Sequence, residues 1–440
     1  MTATATPSAP SLQQLAPDVT PKVRDGDLAK AQLGLIAIGA VIVGVAWLTS
    51  EHFYFSYLVG YMGVLGIVLG ALFFTMLQHI TRAGWSVTVR RLAENIAGTL
   101  PFMLLLFVPV VVGFGELYHH WTHAQITDPQ AANYDAIVAG KAGYLNTTFF
   151  FVRVAIYFAV WIGLAWFFRT KSIEQDETGD PAISLRLARV AAPGLLLFAL
   201  SITFAAFDWI MSLDPHWFST IFGVTYFAGG FMAFLAFVIL IAKWLQRQGY
   251  FQKAITVEHY HDLGKLMWAF MVFWTYTNFS QYMLIWYANL PEETRWFADR
   301  QQGGWGAVGT ILVFGHFFIP FVFLMSRHMK RNGIALPAAA IFMLVIHCFD
   351  MQFLILPTAA GHGEHAGGHA AEQAGHAEGV LAKFGHDFGT YLHGVSWADF
   401  GCFAGIALLV AGLTLLNVRR SNLLPLRDPR LGESLKFHNV

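Results

Sequence analysis

The 440-residue sequence is poor in charged side chains, which make up 12% of it, whereas soluble domains carry about 25%. Hydrophobic residues reach 56%, and the mean hydropathy is +0.52. A soluble fold of this length could not bury so much apolar surface, so the composition indicates an integral membrane protein. Lys plus Arg and Asp plus Glu both number 27, and this balance argues against a nucleic-acid-binding protein.

Cysteine is also scarce, since Cys348 and Cys402 are the only two and both lie inside apolar runs. No CxxC pair or CxxCH motif occurs, so the chain alone cannot ligate an iron–sulfur cluster or attach a c-type haem. No Walker, HExxH, nucleophile-elbow or Rossmann glycine motif occurs in a suitable context. The sequence therefore argues against an ATPase, a hydrolase or an NAD-dependent enzyme. We therefore expect no metal site and no cofactor bound by this chain's own ligands.

Long apolar runs, in contrast, are abundant, and each is long enough for a membrane-spanning helix. The polar residues 1–30 before them predict a disordered tail, and residues 418–440 form a second tail. The predicted fold is therefore an all-α polytopic membrane protein, with a transmembrane domain over 31–417 and ten transmembrane helices. The ten runs cover about 31–49, 54–77, 97–116, 147–168, 189–212, 219–243, 263–288, 305–325, 335–358 and 395–417.

The positive charges predict how the chain is oriented. Alternating the ten spans puts 22 of the 27 Lys and Arg residues on the side that carries both tails. By the positive-inside rule both termini are cytoplasmic, and the opposite, periplasmic side carries long loops near 117–146 and 359–394. No large extracytoplasmic domain is present, so bulky chemistry on that side would need a partner protein.

Ionisable residues inside the predicted spans are few. Each one could have a functional role or could instead stabilise the packing of the helices. Most lie in the outer half of the membrane, which suggests a polar cavity open to the periplasm. One reading is a quinol pocket or a proton half-path, because quinol oxidation releases protons that need carboxylate or His acceptors. The rival reading is a buried Arg153–Asp208 pair that fixes helix packing. The candidate residues are Arg153, Asp208, His216, His316, His347, Asp350 and Asp399.

Two groups of histidines leave several interpretations open. His316 and His347 lie at similar depth, so they could ligate a b-type haem, could form a relay with Asp350, or could be satisfied core residues. Asp350 follows His347 by three residues, which places both on one helix face. The His-rich tract at 361–379 could bind a metal, but its Gly and Ala content favours a solvated flexible loop.

One segment carries a family resemblance. The sequence FAAFDWIMSLDPHWFSTIFGVTYFAGG, from Phe204 to Gly230, resembles the signature of a membrane subunit of alternative complex III, the bacterial quinol:cytochrome c oxidoreductase. That subunit type belongs to the polysulfide-reductase-type, NrfD-like family. The motif match covers only about 27 residues, and the ten spans extend the resemblance to the level of topology.

The resemblance implies two four-helix bundles, here about 54–212 and 219–358, flanked by the first and last helices. It also implies a bacterial inner-membrane complex with a sister ten-helix subunit, an iron–sulfur subunit and c-type cytochromes, and it leaves open whether a terminal oxidase docks. Quinone or quinol is the one ligand that this chain itself could contact. In that family the sister subunit is the better-placed quinol site, and the subunit resembled here is assigned to scaffolding and a proton path.

The sequence thus favours a subunit of a quinol-oxidising respiratory complex that is inactive as an isolated chain. Asp208, His216, Asp350 and His347 are the main candidates for a proton path or quinone contact, with Arg153 as counter-ion. A secondary transporter is the first alternative, and it predicts helices broken near the bilayer midplane. A stand-alone b-type cytochrome is the second.

Overall fold

In a computed structural model that describes residues 26–123, 125–359 and 380–438, the chain is built from helices. No strand occurs within these ranges, which confirms the all-α fold class. Ten long helices, α1 to α10, dominate the architecture, and shorter helices connect them. Their bounds are Gly26–Thr49, Phe53–Ile80, Val87–Val112, Thr147–Thr178, Pro181–Trp209, Phe222–Arg247, Val257–Ala288, Trp305–Met325, Ala335–Ile355 and Trp397–Arg419.

Nine helices in the described ranges are long and apolar enough to cross a membrane, and α7 is the long helix that is not among them. Its first turns contain Glu258, His261 and Asp262, and Asn278 and Gln281 follow further along. The apolar helices confirm the predicted membrane character of the chain.

The third predicted run, 97–116, begins too late. Helix α3 begins at Val87, and it consists of three pieces, Val87–Ala97, Leu100–Leu105 and Val108–Val112. Pro101 and Pro109 stand at the starts of the second and third pieces, where a missing N–H is tolerated. The first piece contains buried charged residues, so it is not part of an apolar run and the sequence pattern did not predict it as helix.

The predicted loop between the fourth and fifth spans is also corrected. Helix α4 continues to Thr178 and α5 begins at Pro181, so the connection is a tight turn and not a loop of about twenty residues. Gly179 adopts φ +70°, a left-handed conformation that suits glycine, and its N–H donates to the Gln175 carbonyl. Asp180 caps α5 through the Ala182 N–H. Both helices therefore extend well beyond their apolar segments.

Helices α2 and α6 lie at the centre, and both are almost wholly buried. They approach closely at Gly66 and Gly230, since a Cβ atom added to Gly230 would lie 2.8 Å from the Gly66 Cα. A Cβ on Gly70 would lie 2.7 Å from the Phe234 Cβ. The spacing of Gly66 and Gly70 suits this close packing, because small residues let two helix backbones come together.

The contacts between helix ends define two faces of the molecule. One face carries residues 113–123, 125–146, 210–221 and 289–304, which are joined by an Asp135–His216 contact of 2.6 Å and a Trp217–Trp296 stack. It is called the outer face here because the positive charges in the sequence predict that it is periplasmic. The inner face carries the opposite helix ends and the C-terminal segment. This grouping matches helices that run alternately up and down.

Buried ion pairs hold the inner face together. Arg91 is fully buried, with its Nε 2.9 Å from Glu94 and its Nη1 2.8 Å from Asp176 of α4. Arg90 lies 2.5 Å from Asp428, so the C-terminal segment packs back onto α3. These two arginines, which the sequence placed in a loop, are structural partners inside a helix.

An Asp428→Asn substitution is expected to destabilise the protein by about 3 kcal/mol, because it leaves the buried Arg90 guanidinium with only Glu94, at 3.4 Å, as a charged partner. Thermal unfolding of the detergent-solubilised chain would measure the change. Glu433→Gln is the control, since its Arg430 pair is largely solvent-exposed and should contribute little. Equal stabilities of the two variants would contradict a structural role for the Arg90–Asp428 pair.

The structure shows helix at the C-terminal end of the predicted loop 359–394 and at the C-terminal end of the predicted tail 1–30. Residues Val380–Gly394 form a helix, which the sparse charge and the Leu, Phe and Tyr content of that stretch permit. Helix α1 begins at Gly26, so the last residues of the predicted tail are helical. The His-rich tract 361–379 and residues 1–25 lie outside the described residues.

Candidate functional site

A first buried polar cluster, the arginine centre, joins α4 to the outer end of α5. Arg153 donates from Nε to Asp208 Oδ2 at 2.7 Å and from Nη2 to Asp208 Oδ1 at 2.9 Å. Its Nη1 donates to the Tyr144 carbonyl at 2.9 Å. Tyr157 adds a hydroxyl donor to Asp208 at 2.6 Å. The Arg153–Asp208 pair considered from the sequence is therefore present, in bidentate form.

This geometry is that of a structural ion pair. Asp208 is 0% exposed and receives three strong hydrogen bonds, while the Arg153 guanidinium also lies over the rings of Tyr144 and Phe149. A buried pair survives only when good geometry and further hydrogen bonds offset its desolvation, and both conditions are met here. The cluster ties α4, α5 and the segment before α4 into one unit.

Tyr157 and Tyr144 were missed by the sequence reasoning. Tyr157 lies four residues after Arg153 in α4, and this spacing puts both side chains on one helix face. That periodicity was a usable signal. Tyr144 lies before α4, where its backbone turn and ring position depend on the fold.

A second buried cluster, the tryptophan centre, lies between α7, α8 and α9. The Trp274 indole Nε1 donates to Asp350 Oδ2 at 3.1 Å, and the His316 ring stacks on the same indole with centroids 3.6 Å apart. Asp350 is 3% exposed, and no salt bridge to it occurs among the described residues. Gly229 of α6 leaves room for this carboxylate, because a Cβ there would lie 3.2 Å from Asp350 Oδ2.

His316 sits in an unusual stretch of backbone. Residues Leu312–Phe318 form a π-helical turn inside α8, and such turns often occur at functional sites. The His316 side chain is fully buried, and neither ring nitrogen has a hydrogen-bond partner among the described residues. A buried imidazole with unsatisfied nitrogens and a buried carboxyl group without a cation thus share one tryptophan as neighbour.

His347 does not pair with Asp350 in the described structure. Its Nε2 donates to the Gly63 carbonyl of α2 at 3.2 Å, whereas the hydrogen bond to Asp350 comes from Trp274. The direct relay considered from the sequence is therefore replaced by an arrangement around Trp274. Nothing in the sequence pointed to Trp274, because the contact joins helices far apart along the chain.

Asp399 belongs to a helix cap. It accepts from the Ser396 backbone N–H at 2.7 Å and from the Ser56 hydroxyl at 2.5 Å, which links the start of α10 to α2. Ser396 and Asp399 form a reciprocal capping box. These contacts give Asp399 a structural task at the outer end of two helices.

His216 lies on the outer face, apart from both buried centres. Its Nε2 is 2.6 Å from Asp135, and its Nδ1 is 3.8 Å from Asp214. Asp135 also caps the short helix Ala136–Lys141 by accepting from the Ile137 and Val138 N–H groups. The three side chains form an outer latch, which holds residues 135–141 against the turn between α5 and α6.

The outer latch is expected to open in acid. Burial opposes ionisation of Asp135, but hydrogen bonds from Val138, His216 and Ile137 and the charge of His216 outweigh it and lower the pKa of this carboxyl group. The lowered pKa favours the closed latch above the usual carboxyl value of about 4, and the benefit is lost as pH falls through the lowered value. Hydrogen exchange at the Ile137 and Val138 amides would report the opening.

Asp135→Asn keeps a capping oxygen but removes the charge beside His216. We expect this variant to show weaker amide protection than wild type between about pH 5 and 7. Protection that stays identical over this range would mean that the Asp135–His216 contact adds nothing to the latch.

No group of three or more His, Cys, Asp or Glu side chains in the described ranges could hold a metal ion. His119, His120 and His123 lie together, with 3.9 Å between the ring centroids of the first two, yet they do not meet that requirement. No model of a known protein family matches the chain, and a search of curated proteins gives no match either.

Proposed function

We propose that this chain is an integral membrane subunit of a quinol-oxidising respiratory complex of the alternative complex III type. In this proposal it supplies scaffold and a proton path or quinone contact, and its ligand there is quinone or quinol. The tryptophan centre is the observation that carries the proposal. Burying a carboxyl group and an imidazole at membrane depth costs free energy, so such residues mark functional sites in membrane proteins, and proton transfer is the chemistry that both groups perform.

The arrangement divides the sequence candidates into two roles. Asp350 and His316, with Trp274 between them, are the proposed proton-carrying groups. His347 lies one helical turn before Asp350 on α9. Asp208 with Arg153, and Asp399 with its cap, are the proposed scaffold. We assign His216 to the outer end of the proposed path, where protons would leave toward the periplasm.

Ten transmembrane helices remain part of the proposal, with α7 as the tenth. Its 32 residues are longer than the roughly 20 that a bilayer requires. Its start lies on the inner face, where Glu258 is 2.6 Å from Arg331, and its end lies on the outer face, where Tyr282 contacts Phe297. The two proposed bundles require the observed contacts of α2 with α3 and α5 and of α6 with α7 and α9, and the bundles then meet where α2 packs against α6.

The exposed side of α7 supports a protein partner. Tyr276 lies near the middle of this helix and is 64% exposed, and Trp286 and Tyr287 are exposed as well. A phenol hydroxyl in the hydrocarbon core would lack a hydrogen-bond partner in lipid. We assign this surface to the sister ten-helix subunit, with the iron–sulfur and c-type cytochrome subunits on the outer side. Both termini are cytoplasmic in this proposal, and the membrane is the bacterial inner membrane.

Purification from native membranes tests the proposal. The tagged full-length chain, extracted in mild detergent, should bring with it an iron–sulfur subunit and c-type haem, detected by peptide mass spectrometry and a reduced-minus-oxidised spectrum. The preparation should also transfer electrons from quinol to cytochrome c. A pure, colourless and inactive chain would contradict the proposal.

A secondary transporter is the second candidate, and the broken helix α3 favours it. Transporters bind substrates where helices are interrupted near the midplane, and α3 is interrupted at 98–99 and 106–107. A colourless chain that catalyses solute uptake in vesicles would establish this alternative. The b-type cytochrome fits less well, because His316 stacks on Trp274 and His347 Nε2 is occupied by Gly63.

A further inference from the structure

Arg300 is a buried cation between α7 and α8, and it lies against the outer end of α9. The residue is only 4% exposed. Its Nε donates to the Phe353 carbonyl at 2.9 Å, and its Nη2 donates to the Leu354 carbonyl at 3.1 Å. Its Nη1 donates to the Trp296 carbonyl, also at 3.1 Å. All three guanidinium nitrogens are therefore bound to backbone carbonyls, and two of these carbonyls belong to the last turn of α9.

The last turn of α9 needs donors from outside the helix. The final four carbonyls of a helix have no N–H partner within it. Residue 357 is a proline, so the Phe353 carbonyl cannot receive the usual bond from four residues further along. The rigid fork of a guanidinium fits two neighbouring carbonyls, whereas an ammonium acts as a single point. Arg300 is thus the C-terminal cap of α9, and its charge suits the negative end of the helix dipole.

The charge of Arg300 has no direct counter-ion. No carboxylate forms an ion pair with it among the described residues, and Asp299 instead lies 3.9 Å from Arg295. Burial lowers the pKa of Arg300 to about 9, although Asp214 and Asp299 act against this shift, so the group stays charged at pH 7. A buried charge without an ion-pair partner is costly. A neutral amide could donate to a carbonyl at a smaller desolvation cost, so capping alone does not account for an arginine here.

The other side of the guanidinium rests on a stack of aromatic rings. Arg300 lies over the Trp296 ring, 3.5 Å from its centroid. Trp296 stacks in turn on Trp217, with 4.4 Å between the ring centroids and 14° between the planes. Trp217 belongs to the turn between α5 and α6. Arg300 therefore connects the end of α9 to the rest of the outer face through two buried indole rings.

We propose that Arg300 is a positioning residue for the tryptophan centre, because it fixes the last turns of α9 and so holds Asp350 against Trp274. Asp350 lies three residues before Phe353, one turn from the capped carbonyls, and its bond from the Trp274 indole is 3.1 Å long. A small displacement of a reacting group can lower a rate strongly. The chemical consequence rests on the proposed function, whereas the capping of α9 does not.

Hydrogen exchange of the purified chain, with any subunits that accompany it, tests the structural step. In Arg300→Gln, we expect amides of peptides covering 350–356 to exchange about tenfold faster than in wild type, because the end of α9 loses its cap. Peptides from the middle of α2 should be unchanged. Arg295→Gln is the matched control, since it removes a 61% exposed arginine side chain from the same segment. Wild-type exchange at 350–356 in Arg300→Gln would overturn the proposal.

Arg300→Lys separates the fork from the charge, because lysine keeps the charge but can reach the two carbonyls only through one atom. This variant should also exchange faster at 350–356. Full protection in Arg300→Lys would overturn the role of the guanidinium fork.

Turnover of the assembled complex tests the chemical step. Arg300→Gln should lower the kcat of quinol:cytochrome c oxidoreduction about tenfold, with full subunit content and an unchanged KM for quinol. A merely structural loss would reduce the amount of active complex and leave kcat per complex unchanged. Faster exchange with normal kcat would overturn the positioning role. Absence of turnover in wild type would instead contradict the proposed function itself, and only the capping of α9 by Arg300 would survive.

Discussion

An Arg153→Met variant is expected to lose about 3–5 kcal/mol of folding free energy, the largest stability effect that we predict for a single substitution. The change leaves Asp208 charged, 0% exposed and without a cation, with the Tyr157 hydroxyl as its remaining side-chain donor. Methionine fills similar space, so the loss would come from the charge and not from a cavity. Thermal unfolding of the solubilised chain measures the effect.

The double variant Arg153→Met/Asp208→Asn should recover much of this stability, because no buried charge is then left without a partner. Arg295→Met serves as the control, since the Arg295 side chain is 61% exposed and lies 3.9 Å from Asp299. An Arg153→Met protein that unfolds like wild type but cannot oxidise quinol would contradict the scaffold role and give the arginine centre a chemical one.

Asp350→Asn is expected to lower quinol:cytochrome c turnover of the assembled complex by about 10²-fold, the usual contribution of a positioned acid–base group. Asparagine has the same shape and can still accept the Trp274 N–H, so assembly should be unaffected. The readouts are turnover, proton release per quinol and subunit content of the purified complex. Loss of turnover with full subunit content is the expected combination.

Asp399→Asn is the matched control, because it makes the same change at another buried aspartate near the outer face. The Asn amide oxygen can accept from the Ser396 N–H while its NH2 group donates to the Ser56 hydroxyl oxygen, so turnover should remain near wild type. Normal turnover and proton yield in Asp350→Asn would remove this residue from the proton path. Equal losses of turnover in both variants would mean that any change of a buried aspartate in the outer half of the membrane lowers activity, and would contradict a specific role for Asp350.

The two buried centres differ in what surrounds the carboxyl group. Asp208 is held by a bidentate guanidinium and a phenol, whereas Asp350 meets a single indole N–H and a glycine. Sequence alone put both residues on equal terms, since each is an aspartate in the outer half of a predicted span. Their difference arises from the neighbouring helices, which the linear pattern does not reveal.

Helix boundaries show a similar division. Apolar runs identified the helices well where the chain faces lipid or the core, because hydropathy is the property that the membrane selects. They failed where helices extend beyond the bilayer or contain paired charges, as at Val87 and Thr178. Arg90 and Arg91 resembled loop residues until Asp428, Glu94 and Asp176 supplied their partners.

The sequence by itself determined that this chain is an all-α membrane protein, where most of its helices lie, and that Asp208 and Asp350 lie inside them, since these properties follow from local hydropathy and spacing. Only the tertiary structure decided which buried groups pair. It placed Trp274 between Asp350 and His316 and gave the His347 Nε2 the Gly63 carbonyl as its acceptor. The reason is physical, because hydrogen bonds and ion pairs act over a few ångströms between helices far apart in the chain, and their partners exist only after packing.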